Sequence, residues 1–434
     1  MKYISTSTLL LLKSIGQNLI VKGMAVPLSF LSGVMLARFM GVENYGLYGL
    51  LLSIATVCCS GIVRSISVLL VRELAGAMAL KKSAEMIGII TMIFLLLIVA
   101  ISLAASIIGI MPMFNIATPQ SLLIIIGLML ILSMVGSLLR GFKHTASGLF
   151  VEQAARPLFL ILAIIYVVNG NWSSATVSFE QGVDVLVIAL FCAILLGAVL
   201  LLKAWPEDLF KNGLKIDSSW LMKSLPLLLV MGYSQGVSVQ LPILMMGSMV
   251  EPAVIGNFRV ADTMAGLISL TLIAANVALG PRIAALKAKN DLQGFEHLLR
   301  VAASVIFCVA IPMALVFILF GESLIPLIFG QEYMQAAGYL SVLCFAQVIN
   351  SFCGPVMLAL NMLGGEKENI KAIALSLIIT FVLGWFLINA YGGLGAAWAK
   401  MAGLAAWNFY LVWSLFKNKN ILCLPYIWKK NVSK

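Results

Sequence analysis

Met86-Ile87-Gly88-Ile89-Ile90-Thr91-Met92-Ile93-Phe94-Leu95-Leu96-Leu97-Ile98-Val99-Ala100-Ile101-Ser102-Leu103-Ala104-Ala105-Ser106-Ile107-Ile108-Gly109-Ile110-Met111 contains no charged side chain. About 20 residues of this kind, wound as a helix, cross about 30 Å of hydrocarbon. In lipid a backbone must satisfy its own hydrogen bonds, so a run of this length is helical. With comparable runs on both sides, the set is 15–39, 45–70, 86–111, 119–139, 149–168, 183–202, 222–249, 254–280, 299–320, 336–362, 370–390 and 393–416. They predict an all-α polytopic membrane protein with about 12 transmembrane helices; a β-barrel would show alternating segments of about ten residues. Composition agrees: of 434 residues, 62% are hydrophobic and only 10% charged, against about 25% charged in soluble domains. The first run lacks a signal-peptide cleavage pattern and is read as retained.

The formal net charge of +11 raises nucleic acid as a partner, but the distribution of charge argues against it. Alternate loops hold the basic residues: Lys2 and Lys13; Arg72, Lys81 and Lys82; Arg140, Lys143 and Arg156; Lys203, Lys211, Lys215 and Lys223; Arg282, Lys287, Lys289 and Arg300; Lys367 and Lys371; then Lys417, Lys419, Lys429, Lys430 and Lys434. The intervening loops, such as Met113 to Thr118 and Glu322 to Glu332, hold none. This asymmetry orients the chain with its basic loops and both termini in the cytoplasm. Anionic lipid is a secondary partner of that basic face.

No catalytic or metal site is expected. Cys58, Cys59, Cys192, Cys308, Cys344 and Cys353 lie inside apolar runs without ligand spacing, where thiols serve as small apolar packing groups. His144 and His297 fall in basic loops, and no P-loop is present, so neither a metal, a cofactor nor ATP hydrolysis is predicted.

The longest hydrophilic stretch, Lys203 to Lys223, divides the chain into residues 1–210, a six-helix bundle with a connecting loop to about 220, residues 221–416, a second six-helix bundle, and a cytoplasmic tail, 417–434. A shift of 210 residues places Lys13-Ser14 on Lys223-Ser224, Gly46 on Gly256, Tyr48 on Phe258, Ala55 on Ala265, Arg72 on Arg282 and Ala75 on Ala285. The expected architecture is thus two pseudo-symmetric bundles around a central cavity, with the repeat axis along the membrane normal.

Five basic residues remain inside the spans: Lys22, Arg38, Arg64, Arg259 and Lys400. An arginine at a helix centre costs about 2.5–3.5 kcal/mol on insertion scales, so it tends to face water or a partner. Arg64, among Cys58, Cys59, Ser60 and Gly61, is a candidate cavity cation; packing against carbonyls is the alternative. Arg259 and Asp262 share a helix face three residues apart. They either pair with each other or divide the work, Arg259 gripping an anion and Asp262 exchanging partners or protons. Glu152 and Arg156 stand four apart in the order that favours an ion pair. Arg38 and Lys22 have long enough stems to snorkel to the interface, and Lys400 lies two turns into the last span beside Trp398. The basic excess points to an anionic substrate, since guanidinium forks match phosphate oxygens.

Ala37-Arg38-Phe39-Met40-Gly41-Val42-Glu43-Asn44-Tyr45-Gly46-Leu47-Tyr48 resembles the first-loop motif of the polysaccharide transporter family. That family includes O-antigen flippases and belongs to the multidrug/oligosaccharidyl-lipid/polysaccharide exporter superfamily. Val71-Arg72-Glu73-Leu74-Ala75, Val254 to Ala261, Gly280-Pro281-Arg282-Ile283-Ala284, Leu360 to Glu366 and Tyr391 to Ala397 are similar to later family stretches, in order and across essentially the whole chain. Many relatives carry an acid in helix 7, where this chain has Gln235 and Gln240, so the resemblance does not carry ion coupling through that helix. It implies a twelve-helix fold, alternating access around a cationic cavity, and a place in the bacterial inner membrane. The implied substrate is an undecaprenyl-pyrophosphate-linked oligosaccharide, moved to the periplasmic leaflet; a polysaccharide polymerase and a chain-length regulator are the implied partners.

On this reading Arg64 and Arg259 contact pyrophosphate or acidic sugars, with Asp262, Lys400 and Arg38 as further cavity candidates. Proton or sodium exchange at Asp262 or Glu152 is one coupling scheme, and movement of an anion down the membrane potential is another. A multidrug antiporter of the same fold would be expected to have an acidic cavity. A membrane glycosyltransferase or polymerase would need carboxylates in a large loop, whereas the outer loops here are short.

Overall fold

A computed structural model of the chain describes residues 6–80, 82–110, 119–168, 176–206 and 219–426. The loop from Met113 to Thr118, most of the connecting loop to about 220 and the tail beyond 426 lie outside the described residues. All regular structure among the described residues is helical. The α-helices run α1 (Thr6–Ala79), α2 (Ser83–Ile110), α3 (Pro119–Gly141), α4 (Thr145–Leu149), α5 (Arg156–Val168), α6 (Phe179–Ala204), α7 (Ser219–Met246), α8 (Pro252–Ile268), α9 (Leu270–Ala288), α10 (Leu292–Phe329), α11 (Ala336–Cys353), α12 (Val356–Met362) and α13 (Glu366–Lys419).

Ten helices among the described residues are long and apolar enough to cross a membrane. Two contain a break at a positive-φ glycine, Gly41 in α1 (φ 72°) and Gly392 in α13 (φ 56°). An L side chain rarely adopts that conformation, so glycine is the residue that lets the chain turn out of the helix there. Each leg on either side is itself long enough to span, so among the described residues the twelve expected runs lie largely on helix, with a turn at 247–249 and a break at 354–355. The boundaries moved, however. The run 254–280 is two helices meeting at Ser269, whose hydroxyl donates to the Gly266 carbonyl at 2.7 Å. The run 149–168 begins in a π-helical turn, Phe150–Ala155. Basic residues counted as loop cations, Arg140, Arg156 and Arg282, lie within helices α3, α5 and α9.

Phe94, Leu95, Ile98 and Val99 of α2 and Ile188, Phe191, Leu195 and Val199 of α6 are exposed. On a soluble protein such faces would be untenable; on helices of this length they are lipid-facing. The protein is therefore a multi-pass membrane protein with an all-α fold.

Contacts sort the chain into two units, Met1–Met40 with Leu51–Gly236, and Gly41–Leu50 with Val237–Lys434. Sequence alone divides the chain at the hydrophilic stretch near 210; by contacts, the start of the second leg of α1 belongs with the C-terminal helices, and most of α7 belongs with the N-terminal ones. In the first unit α3 packs on α6 and α2, and α5 packs on α6. In the second, α11 packs on α8, α10 and α13. Ile421, Leu422 and Cys423, counted with the tail, are buried, and Ile421 and Cys423 join the core cluster built on α9 to α13.

Lipid supplies no hydrophobic drive between helices, so close packing of small residues has to hold them. In the second unit a Cβ at Gly46 would overlap the Pro252 carbonyl, and a Cβ at Gly256 would overlap the Val42 carbonyl. Under the 210-residue shift these two contacts exchange, Val42 with Pro252 and Gly46 with Gly256. The repeat legible in sequence is thus expressed here as a local two-fold crossing. Beside it, the Glu332 carboxylate accepts from the Val42 amide at 3.1 Å, satisfying a backbone donor at the Gly41 break.

Candidate substrate-contacting cations

Arg64 belongs to the first unit. It sits on the second leg of α1 where that leg meets α7 through small residues. A Cβ at Gly232 would stand 2.7 Å from the Gly61 Cα, and the Tyr233 ring covers Gly61. The Tyr233 hydroxyl donates to the Cys58 carbonyl at 3.3 Å. In this crossing Arg64 Nη1 donates to Gln235 Oε1 at 2.9 Å, while its Nε is buried with no acceptor. The partner's chemistry matters more than its distance. A glutamate at 235 would cancel the guanidinium charge; glutamine orients the side chain and leaves the charge uncompensated. Sequence marked Gln235 only as a missing acid. The structure makes it the group that holds Arg64.

Arg259 belongs to the second unit. It projects from α8 across Gly49, donating from Nη1 to the Gly49 carbonyl at 3.1 Å. Its guanidinium carbon lies 5.7 Å from the centroid of the buried Tyr45 ring, within reach of a cation–π attraction. A Cβ at Gly49 would stand 2.7 Å from Arg259 Cδ, so the arginine stem needs glycine there. Neither Tyr45 nor Gly49 stood out in sequence as a cation's support; the one signal was the 210-residue shift, which pairs Gly49 with Arg259.

Asp262, one turn along α8, accepts from Lys400 Nζ of α13 at 2.5 Å. Their side chains are 28% and 17% exposed, so the pair is shielded but not sealed. Lys400 Nζ also lies 5.9 Å from the Phe258 ring centroid. The structure thus brings Lys400 to Asp262, two candidates that sequence placed on separate spans, while Arg259, three residues before Asp262 on α8, turns to Gly49 and Tyr45. The Asp262–Lys400 pair is formally neutral, whereas the Arg259 guanidinium is met by a carbonyl and a ring and not by a carboxylate.

The remaining candidates lie elsewhere. Glu152 Oε2 stands 2.9 Å from Arg140 Nη2, an ion pair across helices where sequence proposed Arg156 on the same helix. The π-helical turn, Phe150–Ala155, spans Glu152, and Arg140 also donates to Ser67 Oγ at 2.8 Å and Ser137 Oγ at 2.9 Å. Gly148 makes the approach feasible, since a Cβ there would press on Arg140 Cγ and the Gly136 carbonyl. Arg38 is exposed three residues before the Gly41 break, while Arg156 and Lys22 are half-buried. Among the described residues no cluster of His, Cys, Asp and Glu could hold a metal ion.

No protein-family profile matches the chain, and no curated protein matches it in sequence. Solved structures do match in fold. An inward-facing multidrug resistance MATE family transporter of the MOP superfamily superposes with a TM-score of 0.73 at 11% identity, covering 91% of this chain and 94% of the other. The lipid II flippase MurJ in an inward closed conformation gives 0.68 at 13% identity, covering 91% and 86%. The Vibrio cholerae MATE transporter VcmN in its bent form gives 0.56 at 15% identity, covering 94% and 98%. The chain therefore has the polytopic membrane fold seen in MATE transporters and in MurJ.

Proposed function

We propose that this protein is a flippase of the O-antigen type. It moves an undecaprenyl-pyrophosphate-linked oligosaccharide from the cytoplasmic to the periplasmic leaflet of the bacterial inner membrane by alternating access, with both termini in the cytoplasm. The observation that carries this reading is the uncompensated positive charge inside the spans: Arg64 held by a neutral glutamine, and Arg259 held by a carbonyl and a ring. Sugars and pyrophosphate cannot enter hydrocarbon without large desolvation cost, whereas a polyprenyl tail can stay in lipid. Arg64 and Arg259 would meet the pyrophosphate or acidic sugars and substitute for water.

The protein does no covalent chemistry on this reading. With the cell interior negative, outward movement of an anion is downhill by about 2.3 kcal/mol per charge per 100 mV, and a polysaccharide polymerase with its chain-length regulator would remove the product. Exchange of a proton or sodium ion at Asp262 or Glu152 is the competing coupling scheme. Proteoliposomes loaded with the lipid-linked oligosaccharide test both. Arg64→Ala and Arg259→Ala should each abolish flipping with protein level unchanged; normal flipping in both variants overturns the assignment. Insensitivity to an imposed potential removes the electrical scheme.

A multidrug antiporter is the second reading, because multidrug MATE transporters share the fold. Organic cations would need free carboxylates, yet Asp262 and Glu152 are paired with Lys400 and Arg140. Drug hypersensitivity of a deletion strain with normal surface polysaccharide would favour the antiporter; lipid-linked unit trapped inside that strain would favour the flippase.

A further inference from the structure

A cavity of about 250 Å³ lies in the second unit, lined by Gln293, Glu296, His297, Arg300 and Tyr426. None of these residues belongs to the flipping path proposed above. Four come from the first turns of α10 and the fifth from the segment that follows α13. That segment is tied down from several directions. Arg300 Nε donates to the Leu424 carbonyl at 3.3 Å, and the Tyr426 amide donates to Ser304 Oγ at 3.1 Å. The Arg300 guanidinium carbon lies 4.4 Å from the Tyr426 ring centroid, and Tyr426 Oη stands 2.5 Å from His297 Nδ1. These contacts hold the segment against α10, so the cavity is a surface cleft whose two sides are tied to each other.

Its chemistry is dipolar. Arg300 and His297 offer cationic or N–H donor groups, while Glu296 offers a carboxylate whose Oε1 is 4.0 Å from Arg300 Nη1. His297, Val301, Val305 and Val309 recur every four residues on α10 and are all exposed, so they share one face. The polar mouth thus stands at the head of an aliphatic stripe on a helix long and apolar enough to span.

We propose that this cavity holds the headgroup of a phospholipid bearing both a phosphate and a primary ammonium, with an acyl chain laid along Val301, Val305 and Val309. The phosphate faces Arg300 and His297, and the ammonium faces Glu296. At about 250 Å³ the cavity falls just below the range of about 300–1,000 Å³ usual for small-molecule sites, a size for a headgroup and not for a whole lipid. A purely anionic headgroup would leave Glu296 opposed by like charge. A quaternary ammonium has no N–H to give the carboxylate. Free phosphoethanolamine has the right charges and nothing to cover the stripe.

The test uses the full-length protein, purified and delipidated in detergent. Phosphatidylethanolamine, phosphatidylcholine, phosphatidylglycerol and free phosphoethanolamine are added separately, with thermal unfolding midpoint and lipid retention by native mass spectrometry as readouts. Phosphatidylethanolamine should raise the midpoint and be retained one to one, at least tenfold over the other three. Glu296→Gln should erase the preference over phosphatidylcholine, and His297→Gln should weaken retention with the fold intact. Val305→Ser should lower retention of the lipid alone. Equal retention of all lipids by the native protein, or an unchanged preference in both Glu296→Gln and His297→Gln, overturns the proposal. An equal shift with free phosphoethanolamine overturns the role of the stripe. Because flipping is not measured, failure here leaves the flippase reading to its own test.

Discussion

Arg259 donates to the carbonyl of Gly49 at 3.1 Å, and Gly49 stands 210 positions before it, at its own counterpart in the internal repeat. One turn earlier the crossing is symmetric, Gly46 against Pro252 and Gly256 against Val42. At 49 and 259 the symmetry ends, and it has to. Two arginines could not both occupy so close a crossing, because their stems would overlap and their charges repel. Glycine at one repeat position makes the room into which the other repeat extends its cation.

Gly49→Ala should therefore displace Arg259 without removing its charge. An off-rotamer side chain costs about 1 kcal/mol, so a several-fold fall in flipping is expected at unchanged protein level. In an Arg259→Ala background the same substitution should have no further effect. Fully additive losses in the proteoliposome assay would mean that Gly49 does not act through Arg259.

Gln235 holds Arg64 without neutralising it, and two substitutions separate those roles. Gln235→Glu should preserve thermal stability and depress flipping of the anionic substrate, since the new carboxylate competes for the guanidinium. Gln235→Leu should lower stability by about 1–3 kcal/mol through an unsatisfied buried donor. Unchanged flipping in Gln235→Glu would show that the Arg64 charge is not used.

The Asp262–Lys400 pair predicts a non-additive pattern. Removing one partner of a fully buried pair costs about 3–5 kcal/mol, and replacing both with apolar groups is often neutral. With both side chains partly exposed, Asp262→Leu should cost less than that but remain clearly destabilising. Asp262→Leu combined with Lys400→Met should recover most of the loss. Denaturation of the four proteins in detergent measures this, and a double variant as unstable as the sum of the singles would contradict it.

Gly256→Val places a branched side chain against the Val42 carbonyl. Overpacking of this kind costs about 1–3 kcal/mol or more. A low yield of folded protein is expected, whereas Gly280→Val, with no atom near its would-be Cβ, should express normally. Yields by fluorescence-detected size exclusion give the comparison.

The run from Met86 to Met111 and its eleven companions were legible because a bilayer imposes a one-dimensional rule: enough apolar residues, in sequence, to span the hydrocarbon. The candidate cations were legible for the same reason, since charge is rare where it is costly. Their partners were not. Sequence offered Arg259 or a free role for Asp262 and assigned Glu152 to Arg156. The structure supplies Lys400, 138 residues from Asp262, and Arg140 from another helix. The ends of helices were also misjudged, because Arg140, Arg156 and Arg282 look like loop cations when charge alone marks a boundary.

Local composition, and comparison of the chain with itself, thus establish an all-helical membrane protein, the approximate place of its spans and the spans that carry charge, and they point to a repeat shared by its halves. No folded coordinates are needed for any of these. That Gln235 holds Arg64, that Gly49 makes way for Arg259 and that Lys400 meets Asp262 came only with the three-dimensional structure. Those contacts depend on which helix faces cross and how closely. Crossing is set by small residues distant in the chain, and their partners are chosen by shape.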